Sequence, residues 1–282
     1  MNSNIYEQTI QKITQAGISS PRLEARLLIA NILKIKADEV NSQTIVPENL
    51  QPQLQADIEK RLQGMPIDKI LKRKEFYKYD FITSEDVLSP RPDTEILLDV
   101  ALKLISQNAL KNVLDLGVGS GCILLSILKE NTNIQGVGVD ISPKALNITK
   151  QNAEILGVLQ NCHLIEKSWF DEDFISTLNN RFNLIVSNPP YIPTVDIPSL
   201  DIAVRQYDPL IALDGGTDGL KNYKRIAELA PSLLKKNGYI VLEIGIHQAL
   251  SVKKIFEKQH LKHLQTLPDL AGVERVLIFQ KS

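Results

Sequence analysis

The fold is decided by residues 113–128, which read VLDLGVGSGCILLSIL. The apolar run at 113–116 predicts a short buried strand, and the apolar residues at 122–128 predict a helix. A Gly-x-Gly-x-Gly pattern at 117–121 joins them. Glycines at a turn from strand to helix let the backbone approach a ligand and point amide donors at it. The stretch therefore predicts an α/β fold with a ligand site at the end of this strand.

A second strand is predicted at residues 136–139, and it ends in Asp140. An acid at the tip of the second strand can accept hydrogen bonds from both hydroxyls of a ribose. The alternative, that Asp140 caps the next helix, is less favoured because Ser142 before Pro143 suits a cap better. Asp115, inside the first strand, is a candidate to hold the amides of the glycine loop or an amino group of the ligand.

Two further strands are predicted, at 163–166 and 182–187. Trp169 follows the first of them and can pack against a flat adenine. An ordinary core or surface position accounts for this tryptophan equally well. Ser168 precedes it and offers only a neutral hydroxyl as a hydrogen-bond partner.

The fourth strand runs into a stiff tetrad, which consists of Asn188, Pro189, Pro190 and Tyr191. The prolines fix backbone angles, and the first restricts Asn188 to extended conformations. The Asn188 side chain can offer its carbonyl oxygen to an NH2 group. Tyr191 can offer the face of its ring. The tetrad is therefore a candidate site for a planar amino or amide group, although a proline-rich turn is its simpler interpretation.

These motifs together resemble a known family. The glycine loop with Asp140 resembles the cofactor site of class I S-adenosylmethionine-dependent methyltransferases. The tetrad resembles the motif of methyltransferases that act on amide or exocyclic amino nitrogens. More narrowly, the chain resembles the release factor glutamine methyltransferases, the HemK or PrmC family, through nearly its whole length. Four further stretches carry this resemblance: residues 89–95, 169–170, 208–220 (DPLIALDGGTDGL) and 242–248 (LEIGIHQ).

The resemblance implies a function and a set of roles. The expected reaction is methylation of the side-chain amide nitrogen (N5) of the glutamine in the Gly-Gly-Gln motif of class-1 peptide chain release factors, with S-adenosyl-L-methionine as methyl donor. Asn188, Pro189 and Tyr191 are the expected catalytic residues, and the whole tetrad is expected to bind the substrate. No metal is expected. The expected cofactor-binding residues are Gly117, Val118, Gly119, Ser120, Gly121, Asp140, Trp169 and Asn188.

The resemblance also completes the expected architecture. It implies a class I methyltransferase fold, which is a Rossmann-like seven-stranded sheet with an antiparallel last strand pair, a small N-terminal all-α domain and a β-hairpin linker. Late strands are expected near 239–243 and 273–279. The predicted domains are an N-terminal helical substrate-recognition domain at 1–74, a hairpin linker at 75–92 and the methyltransferase domain at 93–282.

The front of the chain yields more local predictions. Ser20 is predicted to cap a helix that begins at Pro21. Glu24 and Arg26 are interpreted as exposed or rim charges rather than as an active pair. Residues 75–82 are predicted to form a hairpin with 87–88. The cations within 69–78 favour a solvated connector slightly over a basic patch. Arg91, between two prolines, is a candidate lid residue over the pocket.

Composition narrows the setting. A net charge of -1 argues against broad, sequence-independent binding to DNA. Cys122 and Cys162 lack metal-site spacing and are expected to be small buried residues in a reducing cytosol. Residues 1–7 lack the pattern of a signal peptide, and no apolar run reaches the roughly 20 residues that span a bilayer. A cytoplasmic monomer without stable nucleic-acid or membrane partners is expected.

Rival functions share parts of this pattern. A methyltransferase acting on adenine N6 or another nucleic-acid amine would share the fold and the tetrad, but it predicts a basic groove and a base-flipping pocket. A nicotinamide oxidoreductase is disfavoured by the glycine spacing, which is not that of the dinucleotide fingerprint. A non-catalytic binding module is disfavoured because the glycine loop, Asp140 and the tetrad occur together. His260 and His263 favour a plain surface element over a metal site.

Overall fold

The computed structural model describes residues 4–178 and 181–282. Residues 1–3, which belong to the start considered for a signal peptide, lie outside this part. The chain divides into two compact units. The helical unit comprises the described part of Met1–Arg73 together with Asp201–Tyr207, and the sheet unit comprises the described parts of Lys74–Leu200 and Asp208–Ser282. The boundaries at 74 and 92 stay a prediction.

α-Helices and strands alternate strictly over the described residues from 94 to 187. The α-helices are α1 (Ile5–Gln15), α2 (Pro21–Leu33), α3 (Gln51–Leu62), α4 (Ile67–Leu71), α5 (Thr94–Asn108), α6 (Cys122–Glu130), α7 (Pro143–Leu156), α8 (Phe174–Leu178), α9 (Ile202–Arg205), α10 (Lys221–Leu233) and α11 (Ala249–Glu257). The strands are β1 (Arg73–Phe76), β2 (Tyr79–Ile82), β3 (Asn112–Leu116), β4 (Gln135–Asp140), β5 (Cys162–Glu166), β6 (Phe182–Ser187), β7 (Leu234–Glu243), β8 (Leu261–Pro268) and β9 (Glu274–Lys281).

The helical unit has its own apolar core. Ile13 of α1 and Leu28 of α2 are completely buried in it, together with Leu54 of α3. Helix α2 begins at Pro21 as predicted, but Ser20 makes no side-chain capping bond. Its φ of 56° is left-handed, whereas a capping serine normally has extended backbone angles from which its oxygen reaches the first turn.

The interpretation of Glu24 as an exposed or rim charge is wrong. Glu24 is only 8% exposed, and its carboxylate accepts two hydrogen bonds from Arg61, from Nε at 2.6 Å and from Nη2 at 3.0 Å. Burial of a carboxylate is tolerable because a bidentate guanidinium compensates for lost hydration. Arg26, two residues along the same helix, is exposed as predicted.

The hairpin is shorter than the sequence suggested. Strands β1 and β2 pair with each other, and the turn between them contains Tyr77 at a φ of 59°. Val87 takes no part in the hairpin. It is buried against Ala145 and Ile148 of α7 instead. Strand β1 pairs with β2 across the tight turn, so the residues near 87 are not needed as its partner strand.

The cations within 69–78 do not form one exposed patch. Lys69 is 5% exposed within α4. Lys78 pairs with Glu130 at 3.0 Å. Tyr79 Oη donates to the same carboxylate at 2.5 Å. The hairpin is therefore anchored to the end of α6 by a small polar cluster.

The sheet has seven strands in the order β5-β4-β3-β6-β7-β9-β8. The strands from β5 to β7 are parallel, and β9 pairs antiparallel with both β7 and β8. This confirms the predicted α/β class, the strand number and the antiparallel last strands. Strand β7 begins before the predicted 239, and the seventh strand, β8, was predicted in number but not in position.

Both faces of the sheet are covered. Helices α5, α6 and α7 pack on one face, with Leu124 and Leu125 among the buried residues there. Helices α10 and α11 pack on the other, where Leu114 and Leu116 of β3 lie. Because parallel neighbours point the same way, the carboxyl ends of β3, β4 and β6 meet at one edge. No helix in residues 4–178 or 181–282 is long and apolar enough to cross a bilayer.

The Glu24–Arg61 pair offers a stability test. We expect Glu24→Ala to lower the free energy of unfolding by about 2 kcal/mol, because it leaves a mostly buried guanidinium without its carboxylate. The matched control is Arg26→Ala on the same helix, which we expect to change the free energy by less than about 0.5 kcal/mol. Denaturant unfolding followed by circular dichroism measures both. Equal effects would contradict a structural role for the pair.

Candidate active site

A cavity of about 590 Å³ lies at the carboxyl edge of the sheet. Its size is in the range of small-molecule sites, about 300–1,000 Å³. Most of the sequence-predicted site residues line it: Gly117, Val118, Gly119, Ser120, Asp140, Trp169, Asn188 and Pro190. Gly121, Pro189 and Tyr191 are not among the lining residues. The cavity thus brings together the loop after β3, the acid after β4 and the tetrad after β6.

The glycine loop donates most of its amides within the protein. Gly117 N and Val118 N both donate to Val139 O, at 2.9 and 3.0 Å. Gly119 N donates to Asp140 Oδ2 at 3.0 Å, and Gly121 N donates to Val118 O. The expectation that these amides point at a ligand is therefore wrong for these four residues. What the loop offers is a close backbone approach without side chains in the way.

Helix α7 supports the glycine loop from behind. Thr149 Oγ1 donates to Gly119 O at 2.7 Å, and Asn152 Nδ2 donates to Ser120 O at 2.8 Å. A Cβ atom at Gly121 would lie 2.8 Å from the Thr149 methyl group, and the φ of 84° there also favours glycine. Gly121 is therefore required for packing between the loop and its supporting helix.

Asp140 is held by two backbone amides. Its Oδ2 accepts from Gly119 N at 3.0 Å, and its Oδ1 accepts from Ser142 N at 2.9 Å. Burial raises the pKa of this carboxyl above its ordinary value, and the backbone N–H groups of Ser142, Gly119 and Ile141 oppose that shift. Each carboxylate oxygen keeps a free lone pair for a further donor. Ser142 caps α7 as predicted, since its Oγ accepts from Ala145 N.

Asp115 is 1% exposed, and its two side-chain oxygens make no hydrogen bond of normal geometry among the described residues, although the backbone N–H of Leu124 opposes the rise of its pKa. It pairs in register with Gly138 and Val186, on the sheet face that α5 and α6 cover. Burial raises its pKa to about 8. It neither holds the amides of the glycine loop nor lines the cavity, so neither role suggested by the sequence is found here.

Trp169 and the tetrad are tied together by one residue. Asn222, at the start of α10, accepts from Trp169 Nε1 at 3.3 Å and donates to Pro190 O at 2.7 Å. The indole thereby stands beside the glycine loop, where a Cβ at Gly117 would lie 3.5 Å from the ring. Asn222 is buried. It positions an aromatic wall of the cavity relative to the tetrad.

The backbone carbonyl of Tyr191 is held by Gln248. Gln248 Nε2 donates to Tyr191 O at 2.9 Å, and Gly245 N donates to Gln248 Oε1 at 3.0 Å. A Cβ at Gly219 would lie 2.4 Å from Tyr191 O, so this position admits only glycine. Burial raises the pKa of the Tyr191 phenol to about 12. The phenol is therefore neutral at ordinary pH and is not a base.

Asn188 contacts two buried polar residues. Its Nδ2 lies 3.4 Å from Thr94 Oγ1, and that hydroxyl donates to Glu243 Oε2 at 2.6 Å. Thr94 starts α5, and Glu243 ends β7. Burial raises the pKa of Glu243 to about 7, against the opposing effects of Thr94, Arg275 and Asn188.

The rim of the cavity is formed by two loops that an ion pair connects. Arg91 Nη2 donates to Asp208 Oδ2 at 2.8 Å. Pro90 and Arg91 line the cavity from one loop, and Leu210 and Ile211 line it from the other. Leu210 and Ile211 are largely exposed, so this side of the opening is apolar. The proposed lid role of Arg91 stays a prediction, and its partner is now identified.

One smaller expectation is corrected, and two other residues that the sequence singled out are located. Both cysteines are half-buried rather than buried, and Cys122 lines the cavity because it immediately follows the glycine loop. Ser168 also lines the cavity, but its Oγ accepts from Phe170 N at 3.1 Å and so serves the local turn. His263 contacts Thr266 Oγ1 at 3.0 Å and packs edge-on against Phe279.

Sequence reasoning missed Thr94, Glu243 and Asn222 as parts of the site. The first two lie in the stretches 89–95 and 242–248 that carry the family resemblance, so a signal was present. Asn222 follows the stretch 208–220 by two positions. None of the three has a local pattern that distinguishes it from a surface polar residue. Their importance comes from burial beside the tetrad.

Comparison with known proteins assigns the family. The PrmC N-terminal domain family matches residues 4–71, and a methyltransferase domain family matches residues 107–276. A release factor glutamine methyltransferase of Agrobacterium fabrum is 38% identical over 277 residues, which cover 96% of this chain and 94% of that protein. A protein of the same name from Geobacter sulfurreducens is 37% identical, over 97% of this chain and 94% of its own length.

The chain belongs to the release factor glutamine methyltransferase family. It is a methyltransferase with a class I methyltransferase fold. A solved ribosomal protein L11 methylase from Lactobacillus delbrueckii subsp. bulgaricus supports the fold alone. It superposes with a TM-score of 0.50 at 15% identity, over 71% of this chain and 84% of that chain. The family resemblance inferred from the motifs is thus confirmed, whereas the roles of single site residues stay predictions.

The buried carboxyl of this methyltransferase's Asp115 makes stability depend on pH. Its pKa of about 8 in the folded protein exceeds the ordinary 3.8, so the folded state holds a proton that the unfolded state releases. The stabilisation that comes from this retained proton is fully present below pH 3.8, and it is lost as the pH rises through about 8. We expect Asp115→Asn to flatten the fall of Tm between about pH 6 and 9, by roughly 5 °C at the upper end.

Differential scanning fluorimetry across that range measures the effect. The matched control is Asp99→Asn on the exposed side of α5, which should keep the parent's pH slope. The variants are compared by the slope of Tm against pH and not by the absolute Tm, because a buried amide without hydrogen-bond partners also lowers the stability. An unchanged slope in Asp115→Asn would show that Asp115 does not titrate in this range.

Proposed function

We propose that this protein transfers a methyl group from S-adenosyl-L-methionine to the N5 amide nitrogen of the glutamine in the Gly-Gly-Gln motif of class-1 peptide chain release factors. The observation that supports the proposal most directly is one cavity that holds both halves of a transfer site. Asp140 and the glycine loop lie on one side of it, and Asn188 lies on another. The names of the full-length relatives support the choice of acceptor.

The cavity residues fit S-adenosylmethionine. The two oxygens of Asp140 retain accepting capacity for the two ribose hydroxyls. Trp169 offers a flat apolar surface for the adenine beside the bare backbone of Gly117 and Gly119. When bound, this donor supplies a methyl group on a positively charged sulfur, so the group to be transferred is already activated.

The tetrad suits an amide acceptor. An amide nitrogen is a weak nucleophile because its lone pair is delocalised into the carbonyl group. Asn188 Oδ1 and Pro189 O would accept the two N–H bonds of the substrate amide. The carbonyl of Pro190 already accepts from Asn222 at 2.7 Å, whereas no bond to Pro189 O is found among the described residues. The two acceptors orient the lone pair and stabilise positive charge that develops on nitrogen.

The proton balance needs no strong base. A bond forms between the nitrogen and the methyl carbon while the bond from that carbon to sulfur breaks. The nitrogen then carries an excess proton, which is acidic and passes to solvent water as the methylated product leaves the site. Tyr191 stays neutral because its pKa is raised to about 12. Its role is to pack on the plane of the substrate amide and exclude water from the site.

The helical unit is assigned to recognition of the release factor. It carries its own core and matches the PrmC N-terminal domain family. Recognition by this unit predicts that an intact release factor has a KM at least about 10-fold lower than that of a short Gly-Gly-Gln peptide, with a similar kcat. Equal KM values would show that the cavity alone selects the substrate.

The main rival remains a methyltransferase that acts on adenine N6 or another nucleic-acid amine. It shares the tetrad and the fold. The chain's net charge of -1 and the apolar rim around Leu210 and Ile211 favour a protein segment over a nucleic-acid strand. Incubation with labelled donor and either DNA or a release factor separates the two, because only the true acceptor becomes labelled.

Asn188 provides the test of the chemistry. We expect Asn188→Ala to lower kcat for release factor methylation by about 100-fold, because one of two oriented acceptors is lost. The Kd for S-adenosylmethionine should change by less than about 5-fold. Mass spectrometry of the Gly-Gly-Gln peptide gives the rate as the appearance of one added methyl group, and calorimetry gives the Kd.

Two controls make this test specific. Asn108→Ala removes an exposed asparagine at the end of α5 and should keep the parent's kcat. Asp140→Ala should instead weaken donor binding by at least about 10-fold, because it removes the ribose acceptor. Parent-like turnover by both Asn188→Ala and Tyr191→Ala would rule out the tetrad as the acceptor site.

A further inference from the structure

The hydrogen bonds that join Asn188, Thr94 and Glu243 have a defined direction. Glu243 Oε2 and Thr94 Oγ1 are 2.6 Å apart, and Thr94 Oγ1 and Asn188 Nδ2 are 3.4 Å apart. Thr94 and Glu243 are each 3% exposed. Water therefore has little access to substitute for either partner. The three side chains form a short chain that leads from the interior of the sheet unit to the cavity.

The orientation of the Asn188 amide follows from which of these groups carry protons that they can donate. An ionised carboxylate has no proton, so Thr94 must donate its only hydroxyl proton to Glu243. The hydroxyl oxygen can then only accept from Asn188. Of the two ends of the Asn188 amide, only the NH2 group can donate. Its carbonyl oxygen Oδ1 consequently faces away from Thr94.

We propose that Glu243 and Thr94 are positioning residues that orient the Asn188 amide, so that Oδ1 faces the nitrogen to be methylated. This inference rests on the proposed function of the tetrad. An inverted amide would place an NH2 group against the NH2 group of the substrate. Two donors would then face each other, and the acceptor that stabilises charge on the reacting nitrogen would be missing.

The same chain can also run in the reverse direction when Glu243 is protonated. A neutral carboxylic acid can donate to Thr94, whose own proton is then available to Asn188 Oδ1. The inverted amide becomes an allowed arrangement. Because burial raises the pKa of Glu243 to about 7, this change falls near neutral pH.

Several other groups set the charge around Glu243, and each comes from a different element. Their effects differ in sign: Arg275 favours the ionised form, whereas the other charged neighbour, Asp93, disfavours it. The neutral neighbours do not titrate near neutral pH, since burial raises the pKa of each. The groups that face Glu243 are Asp93 before α5, Cys122 of α6, Tyr191 of the tetrad, Tyr223 of α10 and Arg275 of β9.

Substitutions at Thr94 test the positioning role. We expect Thr94→Val, which keeps the shape but removes the hydroxyl, to lower kcat by about 10- to 100-fold with a KM for S-adenosylmethionine within about 3-fold of the parent. Thr94→Ser keeps the hydroxyl and should retain kcat within about 3-fold. The matched control is Thr266→Val in the edge strand β8, which should leave kcat unchanged.

The pH profile tests the part played by Glu243. The parent's kcat should fall as pH decreases through about 7, and Glu243→Gln should lack this fall because its side chain does not titrate. Glu243→Gln should also have a lower kcat above that pH, since an amide can either accept from Thr94 or donate to it. Its Tm above that pH should equal or exceed the parent's, because the folded-state pKa is raised and ionised Glu243 costs stability there.

A measurement without substrate separates this inference from the proposed function. The side-chain NH2 protons of Asn188, assigned through their loss in Asn188→Ala, should exchange with solvent at least about 10-fold faster in Thr94→Val than in the parent, at a pH about one unit above the pKa of Glu243. Equal exchange rates would overturn the inference, as would parent-like kcat in Thr94→Val or an unchanged acid limb in Glu243→Gln. If the parent fails to methylate release factors, the proposed function fails while the exchange experiment still decides the orientation of Asn188.

Discussion

The parallel alignment of β3, β4 and β6 is the constraint on which the site depends. Parallel neighbours have their carboxyl ends at the same edge. The register places Asp115 beside Gly138 and Val186, so the loops that follow these strands leave the sheet at similar heights. Helices on both faces bury the strands and prevent them from sliding, because a one-residue slip would turn apolar side chains away from their core. The cavity is therefore a consequence of sheet topology.

Side chains from helices then convert three neighbouring loops into one rigid site. Thr149 and Asn152 of α7 bond to carbonyls of the glycine loop. Asn222 of α10 joins Trp169 to the tetrad. These contacts are 2.7 to 3.3 Å long and are buried or part-buried, so they hold the shape of loops that have no regular structure of their own. Most backbone amides of the glycine loop also donate hydrogen bonds within the protein and so help to fix the shape of the loop. The loop therefore presents backbone without glycine side chains to the cavity.

Two carboxyl groups, those of Asp115 and Glu243, are buried near the site. Burial of an ionised carboxylate lowers stability, and the two residues differ in how this effect is offset. Asp115 has no partner among the described residues, so its neutral form is favoured up to a pKa of about 8. Glu243 keeps a partner in Thr94 and feels the charge of Arg275, which holds its pKa nearer neutral. A partnered acid can impose a direction on its neighbours, whereas an unpartnered one affects mainly stability. Glu243 thus has a hydrogen-bond partner that leads to Asn188, whereas neither side-chain oxygen of Asp115 has a comparable contact among the described residues.

The sequence by itself determined the α/β class, the positions of the first four sheet strands and the family. Local patterns sufficed for these because apolar runs, glycine turns and proline-rich loops act on their own neighbours. Only the tertiary structure decided that Ser20 does not cap α2, that Glu24 is buried with Arg61, and that Val87 packs on α7. It also decided that Thr94, Asn188 and Glu243 meet. Residues 94 and 243 lie on a helix and a strand far apart in the chain, and the energy of a buried polar contact depends on the partner that folding brings, which no local pattern records.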